Sequence, residues 1–436
     1  MADQSMRSRA TQEAIVKGHL SVSGFLSGIE NGIQVGFRLV PFLPVLVAVL
    51  LGSASLAIAQ TETVVYSFQP GSLPYSGVVL DAQGNIYGTT YAGGTSANCT
   101  GGCGTLFEIT AAGKEIVLHN FRGGTDGASP VGALWRDAQG NLFGTSFFGD
   151  GLGTCPTGCG TVFEVTSGGH KRVVHQFRGA TTDGSSPYSN LIADGDGNLF
   201  GTTSAGGSFG RGTIFEITAS GKEKVLYNFS GGTDGGWPTA GLIRDAKGNF
   251  YGTTSGGGTP VGKCWQGCGT VFEFTSDGRE RVLYSFTGEK DGWAPFARLL
   301  RDARGNLYGT TMENGFSYNC WDCGTVFEIA ADGTEETLHR FHGVPDGWGP
   351  NGGLVMDRQG NLYGTTILGG RAGGAGCGTV FEITGAGRER ILYSFSCSDG
   401  SAPYGDLVMD AHGSIYGTTA SGGAYQYGGT VFRIQP

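Results

Sequence analysis

Hydrophobic residues along this chain form short runs separated by turn residues, and no long helical period is present. Residues 240–286 show four such runs, "AGLIRDAKGN", "NFYGTTSGGG", "GTVFEFTSDG" and "RERVLYSF". Val, Ile, Phe, Tyr and Thr between Gly and Asp-Gly turns are typical of β-strands. This stretch therefore predicts four short antiparallel strands.

One phrase marks the repetition of this unit. "GNLYGTT" at residues 305–311 has counterparts at intervals of 51 to 57 residues, beginning at Gly84, Gly140, Gly197, Gly248, Gly305, Gly360 and Gly413. Regular spacing indicates repeated structural units. Four short strands per unit are typical of propeller blades, whereas a β-helix needs shorter coils and an array of sandwiches needs longer units. The sequence predicts an all-β fold, a seven-bladed β-propeller of four-stranded antiparallel blades.

The two ends of the repeat region are incomplete units. Residues 61–68, "TETVVYSF", match the last strand of a unit, and the C-terminal "GGTVFRIQP" matches the third strand. If the N-terminal strand completes the C-terminal blade, the ring closes and no sheet edge stays unpaired. We therefore expect residues 60–436 to form a single propeller domain.

Several phrases recur in fixed order along residues 61–436: "GTVFEI", "LYSF", "DGxxP", "DxxGNLYGTT" and a trailing "GG". Together they resemble the GloVer-type tandem repeat. The resemblance implies an exported bacterial protein of the β-propeller type. It implies no particular activity, because the family has none established.

The N-terminal residues 1–59 have the pattern of a leader with a signal peptide. An apolar run at residues 39–59 follows Arg38 and ends in "AIA", a small-residue site of the signal peptidase kind. We expect the mature chain to start near Gln60 and the protein to be secreted or periplasmic. The alternative is a retained N-terminal membrane anchor, since the run is just long enough to span a bilayer.

Composition narrows the possible partners. The chain has 83 glycines without a Gly-X-Y period and keeps 11% aromatic residues, which excludes collagen and disorder. The net charge is −9, and Lys and Arg are scattered singly, so no basic stripe can neutralise a run of phosphates. We expect no nucleic-acid partner, no membrane partner after signal cleavage, and a monomer.

The repeated phrase itself has a structural interpretation. In residues 302–306, "DARGN", Asp bonds nearby backbone N–H groups and Gly takes a positive φ, which predicts a tight turn. Residues 194–198, "DGDGN", are similar to the start of a calcium loop but lack the later bidentate acid, so a turn is expected there too. The Gly of "GTT" is expected to allow close approach between blades. The Thr pair is expected to fill strands, with a ring of hydroxyls as the alternative.

Alternating strand direction puts the tight turns on one face and every long loop on the other. Each loop from the fourth strand to the next first strand carries an Asp-Gly followed by Pro, and the six aspartates are Asp126, Asp183, Asp234, Asp291, Asp346 and Asp399. One hypothesis is a ring of carboxylates at the channel mouth that binds a cation or sugar hydroxyls. The alternative is that each Asp caps its own turn.

The same long-loop face carries most of the tryptophans. They are Trp237, Trp293 and Trp348 in the fourth-to-first loops, and Trp265 and Trp321 in the second-to-third loops. Indole rings are favoured at recognition surfaces. We therefore treat them as candidate ligand contacts, with packing between loops as the alternative.

Ten cysteines in an apparently exported chain predict disulfides. The expected pairs are Cys99 with Cys103, Cys155 with Cys159, Cys264 with Cys268, Cys320 with Cys323, and Cys377 with Cys397. Zinc binding and C-x-x-C redox chemistry are the alternatives. Zinc is disfavoured, because the pairs belong to different blades and no His accompanies them. Redox chemistry needs one such pair, so several copies favour structural disulfides.

No catalytic motif is recognisable. His119, His175 and His339 replace the Tyr of "LYSF" on the blade rim, while His170, His342 and His412 are isolated turn residues. No metal-ligand cluster is evident, and neither a cofactor nor a metal is predicted. We expect a secreted, non-enzymatic propeller that binds an extracellular glycan or protein through its long-loop face. The alternatives are a propeller lyase or hydrolase that uses Asp and His at the channel mouth, and a purely structural surface protein.

Overall fold

The protein is described here as a computed structural model that covers residues 61–149, 155–156, 158–260, 264–312, 323–370 and 376–435. The predicted signal peptide, Cys320 and Trp321 lie outside the described residues. No helix within these ranges is long and apolar enough to cross a bilayer. The described chain is an all-β, seven-bladed propeller, as the sequence predicts.

Each blade is an antiparallel sheet of four strands, and blades are numbered by their first strands. The four strands follow one another in sequence order in blades 1 to 6, and Ala128–Pro130 adds a fifth strand to the sheet of blade 2. The first strands are Val79–Leu80, Trp135–Arg136, Ile192–Ala193, Ile243–Arg244, Leu300–Arg301, Val355–Met356 and Val408–Met409. The second strands are Ile86–Thr90, Leu142–Phe148, Leu199–Thr203, Phe250–Thr254, Leu307–Thr311, Leu362–Thr366 and Ile415–Thr419.

The third strands are Thr105–Ile109, Thr161–Val165, Thr213–Ile217, Thr270–Phe274, Thr325–Ile329, Thr379–Ile383 and Thr430–Gln435. The fourth, outermost strands are Glu115–Asn120, Lys171–Gln176, Glu223–Asn228, Glu280–Ser285, Glu335–Arg340, Glu389–Ser394 and, for blade 7, Thr61–Ser67. The loops add short strands at Ala128–Pro130, Gly184–Ser185 and Ala205–Gly206 and a 3-10 helix at Gly124–Asp126.

Blade 7 combines the two ends of the repeat region. The strand Thr61–Ser67 pairs antiparallel with Thr430–Gln435, with Thr61 opposite Gln435 and Ser67 opposite Thr430. This pairing gives blade 7 its fourth strand, so the outer edge of its third strand is not left open.

Pairs of phenylalanines join neighbouring blades. A Phe just after each outermost strand meets a Phe on the third strand of the next blade at ring-centroid distances of 4.8 to 5.2 Å. All fourteen rings are at most 2% exposed. The pairs are Phe68 and Phe107, Phe121 and Phe163, Phe177 and Phe215, Phe229 and Phe272, Phe286 and Phe327, Phe341 and Phe381, and Phe395 and Phe432. The seventh pair, at Phe68, packs blade 7 against blade 1.

The glycine of "GTT" has a different role from the one expected. A Cβ on Gly309 would lie 2.5 Å from Cζ of Phe327, on the third strand of the same blade, and 3.0 Å from Cδ2 of Leu299. The same Phe contact recurs at the corresponding glycine of every blade. The glycine therefore makes room for an aromatic ring inside its own blade, and the expectation of close approach between blades was wrong.

The Thr pairs of "GTT" are buried and hydrogen-bonded. The second Thr shares a hydrogen bond with the first residue of the third strand, as between Thr254 and Thr270 at 2.8 Å, and both residues are fully buried. The first Thr reaches the loop that leads into the next blade, as where Thr202 donates to the carbonyl of Ala240 at 3.0 Å. These hydroxyls tie strands and blades together and form no accessible ring.

The Asp-to-Asn turns have the predicted geometry. The Asp302 carboxylate accepts hydrogen bonds from the backbone N–H groups of Arg304 and Asn306 at 2.9 and 2.8 Å. Asp194 makes the same turn with Asp196 and Asn198. The "DGDGN" segment is therefore one more copy of the turn.

Candidate functional site: a cavity at the centre of the long-loop face

The loops that lead into the first strands are held in a fixed backbone shape. The residue before each Pro has a positive φ of 53° to 67°, namely Leu73, Ser129, Ser186, Trp237, Ala294, Gly349 and Ala402. This conformation is unusual for a side-chain-bearing residue and persists only where the surroundings stabilise it. At Trp237 the support is two backbone hydrogen bonds, from its N–H to the Arg211 carbonyl and from the Ser255 N–H to its carbonyl.

Immediately after these prolines, the chain lines a cavity of about 440 Å³. The residue after each Pro contributes an upper ring made of Tyr75, Val131, Tyr188, Thr239, Phe296, Asn351 and Tyr404. Two residues later in the chain, a lower ring contains Gly77, Ala133, Asn190, Gly241, Arg298 and Asp406. Because all seven blades contribute, the cavity lies on the propeller axis and the first strands are the innermost ones.

A hydrogen-bonded cluster of three side chains forms the floor of the cavity. Asp406 accepts hydrogen bonds from Nδ2 of Asn190 at 2.9 Å, from Nε of Arg298 at 3.4 Å and from the backbone N–H of Gly353 at 2.6 Å. The side-chain oxygen of Asn190, Oδ1, in turn accepts a hydrogen bond from the backbone N–H of Ala133. One carboxylate of blade 7 thus connects blades 3, 5 and 6 across the axis.

Aromatic rings form the wall above this floor. The Tyr75 ring lies 5.5 Å from that of Tyr91 and 5.3 Å from that of Tyr404, both in edge-to-face contact. On the other side the Tyr188 ring lies 5.9 Å from that of Phe147 and remains 43% exposed. Desolvation, followed by its tyrosine neighbours, raises the pKa of Tyr188, so this phenol stays a neutral donor at physiological pH.

The six aspartates of the Asp-Gly-Pro loops cap their own loops. Each carboxylate accepts a hydrogen bond of 2.7 to 2.9 Å from a backbone N–H three to five residues earlier, as from Thr287 to Asp291. In five loops it also accepts from the Tyr or His near the end of the outermost strand at 2.6 to 3.2 Å, as from Tyr284 to Asp291. None of the six is among the described residues that line the central cavity.

The tryptophans within the described residues lie outside the cavity lining as well. Trp293 and Trp348 pack against blade cores beside buried cysteines, and the Arg211 guanidinium lies 4.3 Å from the ring centre of Trp237. Trp265 is 83% exposed. Phe209, Tyr425 and Tyr427 are further exposed aromatics in second-to-third loops. The long-loop face therefore carries an outer set of exposed rings around the central cavity.

Disulfides brace the loops of the same face. The bridges in the described residues join Cys99 to Cys103, Cys155 to Cys159, Cys264 to Cys268 and Cys377 to Cys397. The last bridge connects a second-to-third loop with a fourth-to-first loop. Disulfides are consistent with an oxidising, extracytoplasmic compartment.

At the blade junctions the structure groups residues that looked isolated in the sequence. His175 and Asp183 meet Glu223 of the next blade, and His339 and Asp346 meet Glu389, with one potential ligand atom of each within 4.8 Å of the others. These groups of possible metal ligands are not evident in the sequence, because each combines residues of two neighbouring repeats. Burial, then the charge of Asp183, raises the pKa of Glu223 to about 7.

Sequence reasoning missed both the glutamates and the cavity residues. Each glutamate stands four residues before the Tyr or His of an outermost strand, a spacing that is visible in the repeat. The cavity residues occupy positions where the seven units differ. The available signal was regular spacing for the glutamates and divergence within an otherwise uniform repeat for the cavity residues.

The fold and cavity define a β-propeller with a central pocket built from all of its repeats. The chain matches the Gloeobacter/Verrucomicrobia repeat over residues 55–265 and 261–436, and it belongs to this family. No curated protein matches the sequence.

Solved structures share the fold at low identity. The extracellular domain of a hybrid two-component system from B. thetaiotaomicron has a TM-score of 0.54 at 11% identity, over 85% of this chain and 39% of that one. A one-component-system extracellular domain from the same organism has a TM-score of 0.51 at 11% identity, over 84% and 39%. This chain thus spans 39% of the length of those chains. A fungal alcohol oxidase of the AA5 family in complex with copper has a TM-score of 0.51 at 12% identity, over 86% and 75%.

Proposed function

We propose that this protein is an extracytoplasmic, non-enzymatic binding propeller that holds a sugar unit of a glycan in its central cavity. The observation that carries the proposal is where the repeats diverge. The junction Phe is present in every unit, whereas the residue after Pro is Tyr, Val, Tyr, Thr, Phe, Asn and Tyr in chain order. A purely structural ring gains nothing from such variation, but a binding site needs different groups on its different sides.

The chemistry of the lining suits a saccharide. Tyr75, Tyr188, Phe296 and Tyr404 offer aromatic faces on which the C–H face of a sugar ring can stack. Asp406, Arg298 and Asn190 supply acceptors and donors for hydroxyl groups below them. A cavity of about 440 Å³ lies in the size range of small-ligand sites, which combine apolar walls with a few polar groups.

The outer rings extend the same surface. Trp265, Tyr425 and Tyr427 are exposed around the cavity and provide stacking positions for the rest of a longer glycan. Trp237, Trp293 and Trp348 and the loop aspartates take no direct part in this proposal, since their side chains are engaged in packing and capping.

The lining favours binding over acid–base hydrolysis. Among the described lining residues Asp406 is the one carboxylate, no histidine is present, and Arg298, Asn190 and Gly353 already bond that carboxylate. Glycosidases and lyases of the usual kind need a second titratable group facing the first across the substrate. Extracytoplasmic placement is supported by the disulfides.

The test is a glycan array probed with the purified protein, followed by calorimetric titration of the strongest hit. We expect Tyr188→Ala to weaken binding about thirtyfold, the cost of truncating a stacked aromatic anchor. Phe209→Ala is the matched control, because it removes an exposed aromatic ring of the same face outside the cavity. It should change affinity less than about threefold.

Two results would overturn the proposal. One is an array on which no glycan binds. The other is a hit whose affinity survives Tyr188→Ala and Asp406→Asn but collapses on Phe209→Ala or Trp265→Ala, which would move the site to the outer loops.

A further inference from the structure

The seven blade junctions share one arrangement of side chains near the rim. Each outermost strand carries a Glu or Lys near its start and a Tyr or His four positions later. This Tyr or His faces the equivalent Glu or Lys of the next blade. In six junctions the Asp of the Asp-Gly loop completes a group of three. The junctions therefore form a natural comparison set that differs by one residue at a time.

Three of the complete junctions contain Tyr. Tyr227, Tyr284 and Tyr393 each donate a hydrogen bond to the loop Asp of the same junction, at 3.1, 3.0 and 2.6 Å. A phenol brings its own proton to the carboxylate. It is a poor metal ligand at neutral pH, because its pKa is near 10 or above.

One junction contains His, Asp and Lys. Nε2 of His119 lies 2.9 Å from Asp126, and Nζ of Lys171 lies 2.6 Å from the same carboxylate. The Lys171 side chain is only 5% exposed and lies over the Phe121 ring at 5.1 Å. In this junction the chain itself delivers a buried cation to the His–Asp pair.

The two remaining complete junctions keep the His–Asp pair but present Glu in place of Lys. Nε2 of His175 is 3.5 Å from Oδ1 of Asp183, and Nε2 of His339 is 3.2 Å from Oδ1 of Asp346. Oδ2 of each Asp accepts a backbone N–H, and Oδ1 of Asp183 also accepts the backbone N–H of Gly184 at 2.7 Å. Oδ1 is in both cases the oxygen nearer to the His.

These two junctions also leave buried polar atoms unsatisfied. Oε1 of Glu223, Oε1 of Glu389 and Nε2 of His175 are buried and have no hydrogen-bond partner among the described residues. Oε1 of Glu62 and of Glu280, in Tyr junctions, share this property. Only at the His junctions, however, do the buried oxygens stand beside an imidazole nitrogen that can coordinate a metal.

We propose that the clusters His175–Asp183–Glu223 and His339–Asp346–Glu389 each bind one divalent transition-metal ion, such as Zn²⁺. The ion would supply the positive charge that the Lys171 ammonium supplies to the His119–Asp126 pair. One imidazole nitrogen and two carboxylate oxygens are a donor set that suits zinc and its neighbours better than calcium or magnesium. This inference is independent of the sugar site, which lies on the propeller axis.

The consequence would be mechanical. His175 and Glu223 belong to the outermost strands of blades 2 and 3, and His339 and Glu389 to those of blades 5 and 6. A bound ion would therefore cross-link two pairs of blades near the rim. An ion that binds the folded ring and not the unfolded chain stabilises the ring in proportion to ligand concentration.

The experiment titrates untagged, chelator-stripped protein with Zn²⁺ and counts equivalents by calorimetry and elemental analysis. The wild type should bind two equivalents. His175→Tyr and His339→Tyr should each bind one, and the double variant none. Each substitution installs the residue that sister junctions already carry, so the fold is expected to persist, which circular dichroism would verify.

His119→Tyr is the matched control, because it changes the same repeat position at the Lys-containing junction. It should still bind two equivalents. Zinc should raise the melting temperature of the wild type and of His119→Tyr, but not that of the double variant. The proposal is overturned if the double variant still binds two equivalents of Zn²⁺. It is also overturned if the folded wild type binds none, which would mean that hydrogen bonds without a metal ion join the side chains at these junctions.

Discussion

The blade junctions and the central cavity are made by the same repeat, yet they treat sequence in opposite ways. Every junction contains the same buried pair of Phe rings, and the distance between the ring centroids stays between 4.8 and 5.2 Å. At the cavity the residue after Pro has five different identities around the ring. One region is nearly symmetric and the other is not.

The difference follows from what each region must do. A ring closes only if every blade turns by a similar angle relative to its neighbour, so a spacer of constant size and shape is required at each junction. No such requirement acts at the axis, where the side chains meet open space. Asymmetry there can therefore serve recognition without disturbing the ring.

The largest expected effect is at a junction, and it tests whether the closing junction equals the continuous ones. Phe68→Ala and Phe229→Ala each delete a fully packed ring, so each should lower the free energy of unfolding by about 3–5 kcal/mol. Denaturant titration of both variants measures this. A small loss for Phe68→Ala beside a full loss for Phe229→Ala would show that blade 7 is held mainly by strand pairing.

A smaller effect is expected from the glycine that accommodates the ring. Gly309→Ala brings a Cβ to 2.5 Å from Phe327, and overpacking of this kind costs about 1–3 kcal/mol. Gly195→Ala is the control, because its Cβ would meet no atom within 4 Å. Thermal melting of the two variants separates the contributions. Equal melting temperatures would contradict the close packing of Phe327 against Gly309.

A third prediction concerns pH at a Tyr junction. Burial, then the charge of Asp234, raises the pKa of Glu280 from 4.5 to about 7. Between these values the folded state keeps a proton that the unfolded state has released, so stability falls as pH rises from about 4.5 to 7. Glu280→Gln should remove part of this slope, on the order of 1 kcal/mol after allowance for solvent screening.

Melting temperatures at pH 5 and pH 8 measure that slope. The control is Glu289→Gln, which changes an exposed glutamate in a neighbouring loop. If the melting temperatures of the wild type and of Glu280→Gln depend on pH in the same way, Glu280 does not keep a proton in the folded state.

The smallest effect on stability is expected at the cavity. Tyr188→Thr installs the residue that blade 4 carries at this position, and it should change the free energy of unfolding by less than about 0.5 kcal/mol. Glycan binding should nevertheless weaken by about thirtyfold, as for Tyr188→Ala. A variant that unfolds readily would break the comparison, because the axis would then be structural in the same sense as the junctions.

The architecture could be predicted from sequence because its determinants are local and repeated. Strand-forming runs and Asp-to-Asn turns are each visible within a few residues, and comparison with the repeat shows that the units at the two ends are incomplete. The contact of Gly309 with Phe327 was not predictable in the same way, since it depends on which ring of the paired strand lies over the glycine.

The sequence predicts a binding site on the long-loop face, and the candidate cavity is formed by loops of that face, but its lining residues differ from the predicted ones. The aspartates precede the prolines and cap their loops, whereas the residues after the prolines form most of the cavity lining. The His–Asp–Glu clusters combine residues from two units, such as His175 and Glu223, and the register between blades had to be known first. Neither the position of a loop residue relative to the propeller axis nor a contact between two blades follows from the spacing of residues along the chain.

The pairing of Thr61–Ser67 with Thr430–Gln435 has a consequence for biogenesis. Of all the strands described, the one synthesised first finds its partner in the one synthesised last, and contacts so remote in the chain are the slowest to form. Until then six blades can assemble while the seventh presents an open edge. A strand that closes its own ring from such a distance can equally close the ring of another molecule, so domain-swapped dimers are the misassembly to look for when the protein folds at high concentration.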